Sequence, residues 1–393
     1  MKSQFTFIFI IPSLLALAAC GGGSSPAPTP IISPSSGKYL YVVNSSDGTV
    51  SGFSVAPTGE LTAVAGSGQS APIQAPTGIA ANAASGKLYV GSSTSRSLTT
   101  FSADLKTGKL SNPTPLPALF FNSPSSTNAA NLSLCGSILY GFGEGFSTRP
   151  GSPTISEGWS GITYFLLPDG SIDPTRSTGF GTFSASPVVS NGFFDSSCKY
   201  LFHVDTGNNT ATQMTLDLTN NSTHSYLDYA TGSAPVWVSG DPNAKFIYTA
   251  NSGSNDVSAF STDLISGTLT PVVGSPFPAG HQPSSVIVVQ GWLYVANAAD
   301  NTVSAFTWNQ STGALTAVPG SPFAVGTHPV AFATTITDLT HSPSGMLLYV
   351  ANQNSNNVSA FTIDASGALH PVVGSPIAVG NSPKGMTVLL GPQ

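Results

Sequence analysis

At 393 residues, with 41 Gly, 31 Pro, 40% hydrophobic residues and only 7% charged ones, the chain can bury a large core. It cannot clothe long amphipathic helices, whose wet faces ordinarily use Glu, Lys and Arg. Its formal net charge of −6 provides no basic stripe to neutralise phosphates, so nucleic acid is excluded as an expected partner.

The N-terminus reads as a targeting segment. Lys2 precedes an apolar run from Phe5 to Leu17, too short for a membrane span and characteristic of a secretory signal. Leu17-Ala18-Ala19-Cys20 then resembles a bacterial lipobox. That resemblance implies cleavage before Cys20 and lipidation of its thiol, so the expected membrane partner is reached through a lipid anchor. The following GGGSSPAPTPIISPSS, residues 21–36, is a Gly/Ser- then Pro-rich linker. No acidic residue follows Cys20, which by the same resemblance places the anchor in the outer membrane of a double-membraned cell. The expected divisions are a signal peptide over 1–19, the lipidated cysteine and linker over 20–36, and one domain over 37–393.

That domain repeats itself seven times. KYLYVVN (38–44), KLYVGSS (87–93), SILYGFG (137–143), KYLFHVD (199–205), KFIYTAN (245–251), GWLYVAN (291–297) and MLLYVAN (346–352) align on Tyr41, Tyr89, Tyr140, Phe202, Tyr248, Tyr294 and Tyr349. Within each unit a proline-led apolar run (strand A) precedes this segment (strand B). A polar turn leads to strand C, such as Thr302–Phe306, and a second turn to strand D, such as Ala314–Val318. A Gly-Ser-Pro loop then reaches the next strand A. Turn residues separating four alternating runs predict a four-stranded antiparallel blade, and seven of them predict an all-β, seven-bladed β-propeller.

The termini predict how the ring closes. Gly37 leads directly into a strand B, while Pro383–Leu390 is a strand A with no B, C or D behind it. The last strand therefore completes the first blade, which removes the open edges that a linear array would need to cap. Two repeats depart from the rest. The third carries a long insertion between B and C, about Glu144 to Ser160, and the sixth has extra residues between His328 and a strand near Leu339 to Ser342.

Besides Cys20, the chain has Cys135 and Cys198, each just before a strand B in neighbouring repeats. An exported compartment permits a disulfide. Their one-position offset, and the 10 Å or so between packed sheets, favour two separate thiols.

The segments YVANAADNTVSAFTWNQSTGAL (294–315) and YVANQNSNNVSAFTIDASGAL (349–369) resemble the YVTN-type repeat. Seven copies resemble the lactonase-like propellers, which include 6-phosphogluconolactonase-like and carboxymuconate-cyclase-like proteins. The resemblance implies this fold over about residues 38–390 and, by extension, hydrolysis of a sugar lactone or related small molecule. Its motifs encode strands and turns, so they carry the fold rather than the chemistry.

Candidate chemistry is sparse. Asn44, Asn251, Asn297 and Asn352, with Asp205 in the fourth repeat, close their B strands and read as turn caps. The D-to-A rim loops deliver Gln74, His281, Gln282, His328, Asn381 and Lys384 to the channel mouth. His281 and His328, in consecutive loops, are the candidate acid/base pair. No third ligand at metal spacing accompanies them, so neither metal nor cofactor is expected. The third-repeat insertion adds Glu144, Arg149, Glu157 and Trp159, an aromatic platform with charges for a sugar or anionic ligand. No nucleophile elbow, phosphate loop or haem-attachment motif occurs.

The expectation is a monomeric, lipid-anchored envelope propeller that binds a glycan, peptide, protein or small molecule through its mouth. The alternative is a lactone hydrolase using His281 and His328, and the third reading is a structural or adhesive surface protein.

Overall fold

The computed structural model describes residues 37–391, apart from 67, 71–73, 93–97, 112, 116–130, 149–154, 174, 176–177, 180–188, 218–221, 242 and 336–344. At 69–70, 142–148, 155–162, 178–179, 189–190, 217 and 222–226 only the backbone is described.

The alternating runs form seven antiparallel sheets, each ordered D-C-B-A. Blade six is typical: Pro283–Val289, Trp292–Asn297, Thr302–Trp308 and Leu315–Ala317 lie side by side. Ring closure is as predicted, since Pro383–Leu390 pairs antiparallel with Lys38–Asn44, Leu389 opposite Tyr39 and Thr387 opposite Tyr41.

Strand D of the later blades is broken in two. Leu315–Ala317 and Phe323–Ala324 both pair with the same strand C, on either side of the Gly-Ser-Pro loop. The loop's serine fills the gap in the ladder. Ser275 Oγ accepts from Ala259 N at 2.9 Å, Ser321 Oγ from Ala305 N at 2.9 Å, and Ser375 Oγ from Ala360 N at 2.8 Å. A buried strand N–H thus keeps a partner where the neighbouring backbone swings away.

Five of the seven blades are bonded to the next through the hydroxyl of the shared aromatic. The Tyr41 hydroxyl donates to Gly108 O at 2.8 Å, Tyr89 to Gly170 O at 2.5 Å, Tyr248 to Gly313 O at 2.9 Å and Tyr294 to Gly367 O at 3.0 Å. Tyr349 donates to Gly59 O at 3.1 Å and so joins blade seven to blade one. Every acceptor is a glycine in the following blade's C–D turn, with φ between 70° and 98°. The side chain two residues before the tyrosine packs against that glycine, as Tyr39 does on Gly108 and Trp292 on Gly367, and leaves no space for a Cβ. Only glycine satisfies both the left-handed turn and the close approach. In blade four Phe202 has no hydroxyl. There Tyr200 covers Gly267, and its own hydroxyl bonds Ile265 O in the same turn.

The asparagines that close the B strands are wholly buried and bridge to strand C through side-chain bonds, whereas Asp205 caps its own turn by accepting from Gly207 N and Asn208 N at 3.0 Å. Asn297 Nδ2 donates to Thr302 Oγ1 at 3.0 Å and Ser304 Oγ at 2.9 Å, and Asn44, Asn251 and Asn352 repeat this arrangement across their own B–C turns.

Three expectations are corrected. Cys135 and Cys198 form a disulfide, with Cα atoms 5.7 Å apart. The 10 Å sheet spacing holds for blade interiors, whereas these cysteines lie at the inner ends of neighbouring A–B turns, where blades converge toward the axis. In the seventh blade, strand A is Pro329–Thr334, with Phe332 opposite Val350. The extra residues therefore follow that strand rather than precede it, and the predicted strand at 339–342 lies outside the described residues. The third-blade insertion, finally, continues its flanking strands as one long hairpin, Ile138–Thr148 against Ile155–Phe165, instead of forming a separate loop.

The inter-blade hydroxyl bond gives a direct test. Replacing Tyr294 with Phe strands the buried Gly367 carbonyl and should lower unfolding free energy by about 1–3 kcal/mol. Urea titration checks this as a shifted midpoint with an unchanged m-value.

Candidate functional site

The seven A strands line the axis, and their proline-led ends open at the face formed by the D–A loops and B–C turns. These two sets of loops are stitched together by backbone bonds, such as Ala298 N to Gln282 O at 3.0 Å and Gln353 N to His328 O at 2.9 Å. Asparagines of the B–C turns also hold the residue before each proline. Asn255 Oδ1 accepts from Gln282 N, Asn301 Oδ1 from His328 N and Asn356 Oδ1 from Ser382 N, at 2.8–2.9 Å. The mouth is a rigid polar rim.

Just inside it is a cavity of about 180 Å³, lined by strands from six of the seven blades. Its polar groups include Lys384, Asn131, Asn191 and Thr77, and its apolar walls include Trp237, Phe332 and Met386. That volume is below the 300–1,000 Å³ or so of drug-sized pockets and suits one small ring or short acid. Asn191 is engaged by the fold, because its amide donates to Val238 O at 2.9 Å and accepts from Val238 N at 2.8 Å.

Lys384 is the chemical centre of this cavity. Its Nζ donates to Gln353 Oε1 at 3.0 Å, and Gln353 Nε2 donates to Ser382 Oγ at 3.2 Å. Among the described residues no carboxylate pairs with Lys384, and two of its three donors remain for a ligand. Burial pushes its ammonium pKa below the ordinary lysine value. His328 stands at the rim beside it. Burial, and then the charge of Lys384, hold the imidazole below its ordinary pKa, so it is neutral at pH 7. The result is a neutral base beside a hydrogen-bonding cation, able to polarise a carbonyl and accept a proton from water.

The other sequence candidates are dispersed. His281 turns outward, with 72% of its side chain exposed, and its Nδ1 lies 2.9 Å from Asp300 Oδ1. Bonds from the His281 backbone and ring hold the Asp300 carboxyl below the usual range. The two histidines thus differ in surroundings: His281 bonds Asp300, and His328 feels the charge of Lys384. Asn381 is taken up by Asp47, to which its Nδ2 donates at 2.7 Å. Gln282 is exposed on the rim, and Gln74 accepts a bond from Ser92 Oγ on its carbonyl. Glu144 and Trp159 are register partners on the blade-three hairpin, with Glu157 opposite Phe146, and Arg149 lies outside the described residues. Among the described residues no cluster of three His, Cys, Asp or Glu could hold a metal ion.

Sequence reasoning missed Gln353, Asn131 and Trp237. Trp237 left a signal in the repeat, since PVWVSG carries a tryptophan where PSSVIV and PVAFAT carry Ser and Ala.

Residues 191–384, just under half of the chain, match the family model described as lactonase, 7-bladed β-propeller. No curated protein matches the chain. Among solved structures, the periplasmic gluconolactonase of Pseudomonas aeruginosa is similar, with a TM-score of 0.69 at 20% identity, covering 91% of this chain and 100% of that one. A proposed 6-phosphogluconolactonase of Bacteroides fragilis is similar to the same degree, with a TM-score of 0.69 at 18% identity, over 93% of this chain and 100% of the other. Identities this low carry the fold alone.

The rim electrostatics predict a coupled titration. In the wild type, His328 should titrate below the ordinary value of about 6.5. Lys384→Met should move its midpoint upward while burial keeps it under that value, as followed by histidine NMR.

Proposed function

We propose that the chain is an exported lactonase acting on a small lactone in the axial cavity. The observation that carries the reading is the half-buried Lys384, with only a neutral side-chain partner among the described residues, beside a neutral His328 at the rim of a small-molecule cavity. The lactonase-type match of residues 191–384 supports it. It reverses the order of the sequence expectations. A non-catalytic binding role at the mouth becomes the second reading, favoured by the scarcity of charged groups.

In the proposed reaction the lactone carbonyl oxygen accepts a hydrogen bond from Lys384 Nζ. His328 removes a proton from a water that attacks the carbonyl carbon. The tetrahedral oxyanion is held by Lys384 and collapses with cleavage of the ring C–O bond, the ring oxygen taking the proton back. The product is the hydroxy acid.

The test is proton release from glucono-1,5-lactone, read above the spontaneous rate. The expected outcome is turnover that falls about 10²-fold or more in Lys384→Met and in His328→Gln, the usual scale for removing an oxyanion donor or a general base. His281→Ala should stay within a few-fold of wild type. Activity should rise with pH as His328 loses its proton below the ordinary histidine pKa. It should fall again as Lys384 deprotonates earlier than an ordinary lysine. Binding of the lactone without turnover would select the second reading.

The same proposal includes the anchor. The Cys135–Cys198 disulfide supports an oxidising compartment, and Cys20 is the residue we assign to lipid attachment. Metabolic labelling with an alkyne fatty acid should tag the wild type in an outer-membrane fraction and fail to tag Cys20→Ser.

A further inference from the structure

We propose that Trp237 is a ring platform that makes the axial cavity select a hydroxylated six-membered ring, a pyranose-like lactone, over an unsubstituted one. The proposal rests on the cavity being a small-molecule site, as above, but not on hydrolysis.

The argument begins with register. In five blades the second residue after the strand-A proline pairs with the residue that ends strand B or the one just before it. The pairs are Gly78 with Gly91, Trp237 with Ala250, Ser285 with Ala296, Ala331 with Ala351 and Gly385 with Val43. Four of the five are Gly, Ser or Ala. The fold wants little there, because inner strands of adjacent blades approach each other: a Cβ at Gly385 would lie 2.7 Å from Thr77 O. Blade five instead places its largest side chain at this position.

Packing does not account for the choice. Trp292 and Trp308 are core residues, 8% and 9% exposed, and Trp308 Nε1 donates to Gln290 O at 2.6 Å. Trp237 packs against the blade-five and blade-six cluster, yet it remains half-buried and lines the cavity. Its indole N–H has no hydrogen-bond partner among the described residues. An aromatic face attracts the polarised C–H groups on one side of a sugar ring, and an indole N–H can bond a hydroxyl. The remaining groups of the cavity suit such a ligand. Lys384 offers donors to a carbonyl, and the Asn131 amide makes no side-chain bond among the described residues, so it can meet hydroxyls. Phe332 and Met386 complete an apolar wall.

The probe is glucono-1,5-lactam, which keeps the ring and hydroxyls without being hydrolysed, compared with δ-valerolactam, the bare ring. Binding is followed by calorimetry and by tryptophan fluorescence in wild type, Trp237→Phe and Trp237→Leu. The expected result is that wild type prefers the sugar lactam. Trp237→Leu should lose about tenfold or more in affinity for it, and Trp237→Phe, which keeps a flat face, only a few-fold. The fluorescence response should vanish in both variants, with Tm within a few degrees of wild type. Equal affinity in wild type and Trp237→Leu would overturn the proposal, as would no binding of the sugar lactam to wild type. So would equal losses in both variants tracking a lower Tm, which mark a packing role. Trp237-dependent lactam binding without lactone turnover would sink the hydrolase reading and leave this one standing.

Discussion

A tyrosine hydroxyl reaching across to a glycine carbonyl in the next blade is the contact on which the ring depends. The tyrosine is fixed by its own strand B, wholly buried between sheets, and its hydroxyl emerges where the following chain turns from C to D. The acceptor must be glycine, because the turn needs a left-handed residue and the preceding strand-B side chain lies flat against its Cα. A buried hydroxyl without a partner is costly, so each blade is complete only against a neighbour. The last of these bonds runs from Tyr349 to Gly59 and links residues 290 positions apart. The same interaction that sets the local spacing of two blades therefore also closes the toroid.

Blade four shows what happens when the contact is altered. Phe202 retains the packing and loses the bond, and Tyr200 supplies a hydroxyl to the same turn from two residues upstream. Blades three and four also share the disulfide between Cys135 and Cys198. Closing a loop of some sixty residues restricts the unfolded chain and is ordinarily worth about 2–4 kcal/mol. The A strands of the two linked blades carry Asn131 and Ser133 on one side and Asn191 and Gly192 on the other, all in the cavity wall.

The site is built by departures from the repeat. Positions that bond blade to blade are held to Tyr, Gly, Asn and Ser by hydrogen bonds that admit few alternatives. Lys384 and Trp237 occupy positions where other blades carry Thr, Ser, Val, Gly or Ala, and neither is required to pair strands. Gln353 follows the asparagine that closes its strand B and turns its amide to Lys384. A small cavity whose lysine has no carboxylate partner among the described residues can discriminate by charge and shape at once, because burial weakens the competition from water.

The chain's residue pattern specified the blade count, the strand order and the closure by Pro383–Leu390. These follow from local periodicity and turn chemistry, which repeat with little variation along the chain. It also brought Lys384 and His328 to the mouth, since both flank strand-A prolines. It paired His328 with His281 because the two loops are consecutive, whereas position along a loop, not loop order, decides which way a ring turns. Tertiary packing alone sets that His281 bonds Asp300, that His328 lies close enough to Lys384 to feel its charge, that Trp237 and Asn131 line one cavity, and that Cys135 reaches Cys198. The first is settled within blade six, where the entering loop meets its own B–C turn; the other three depend on how far blades rotate and converge near the axis, a distance that no spacing within a single repeat encodes.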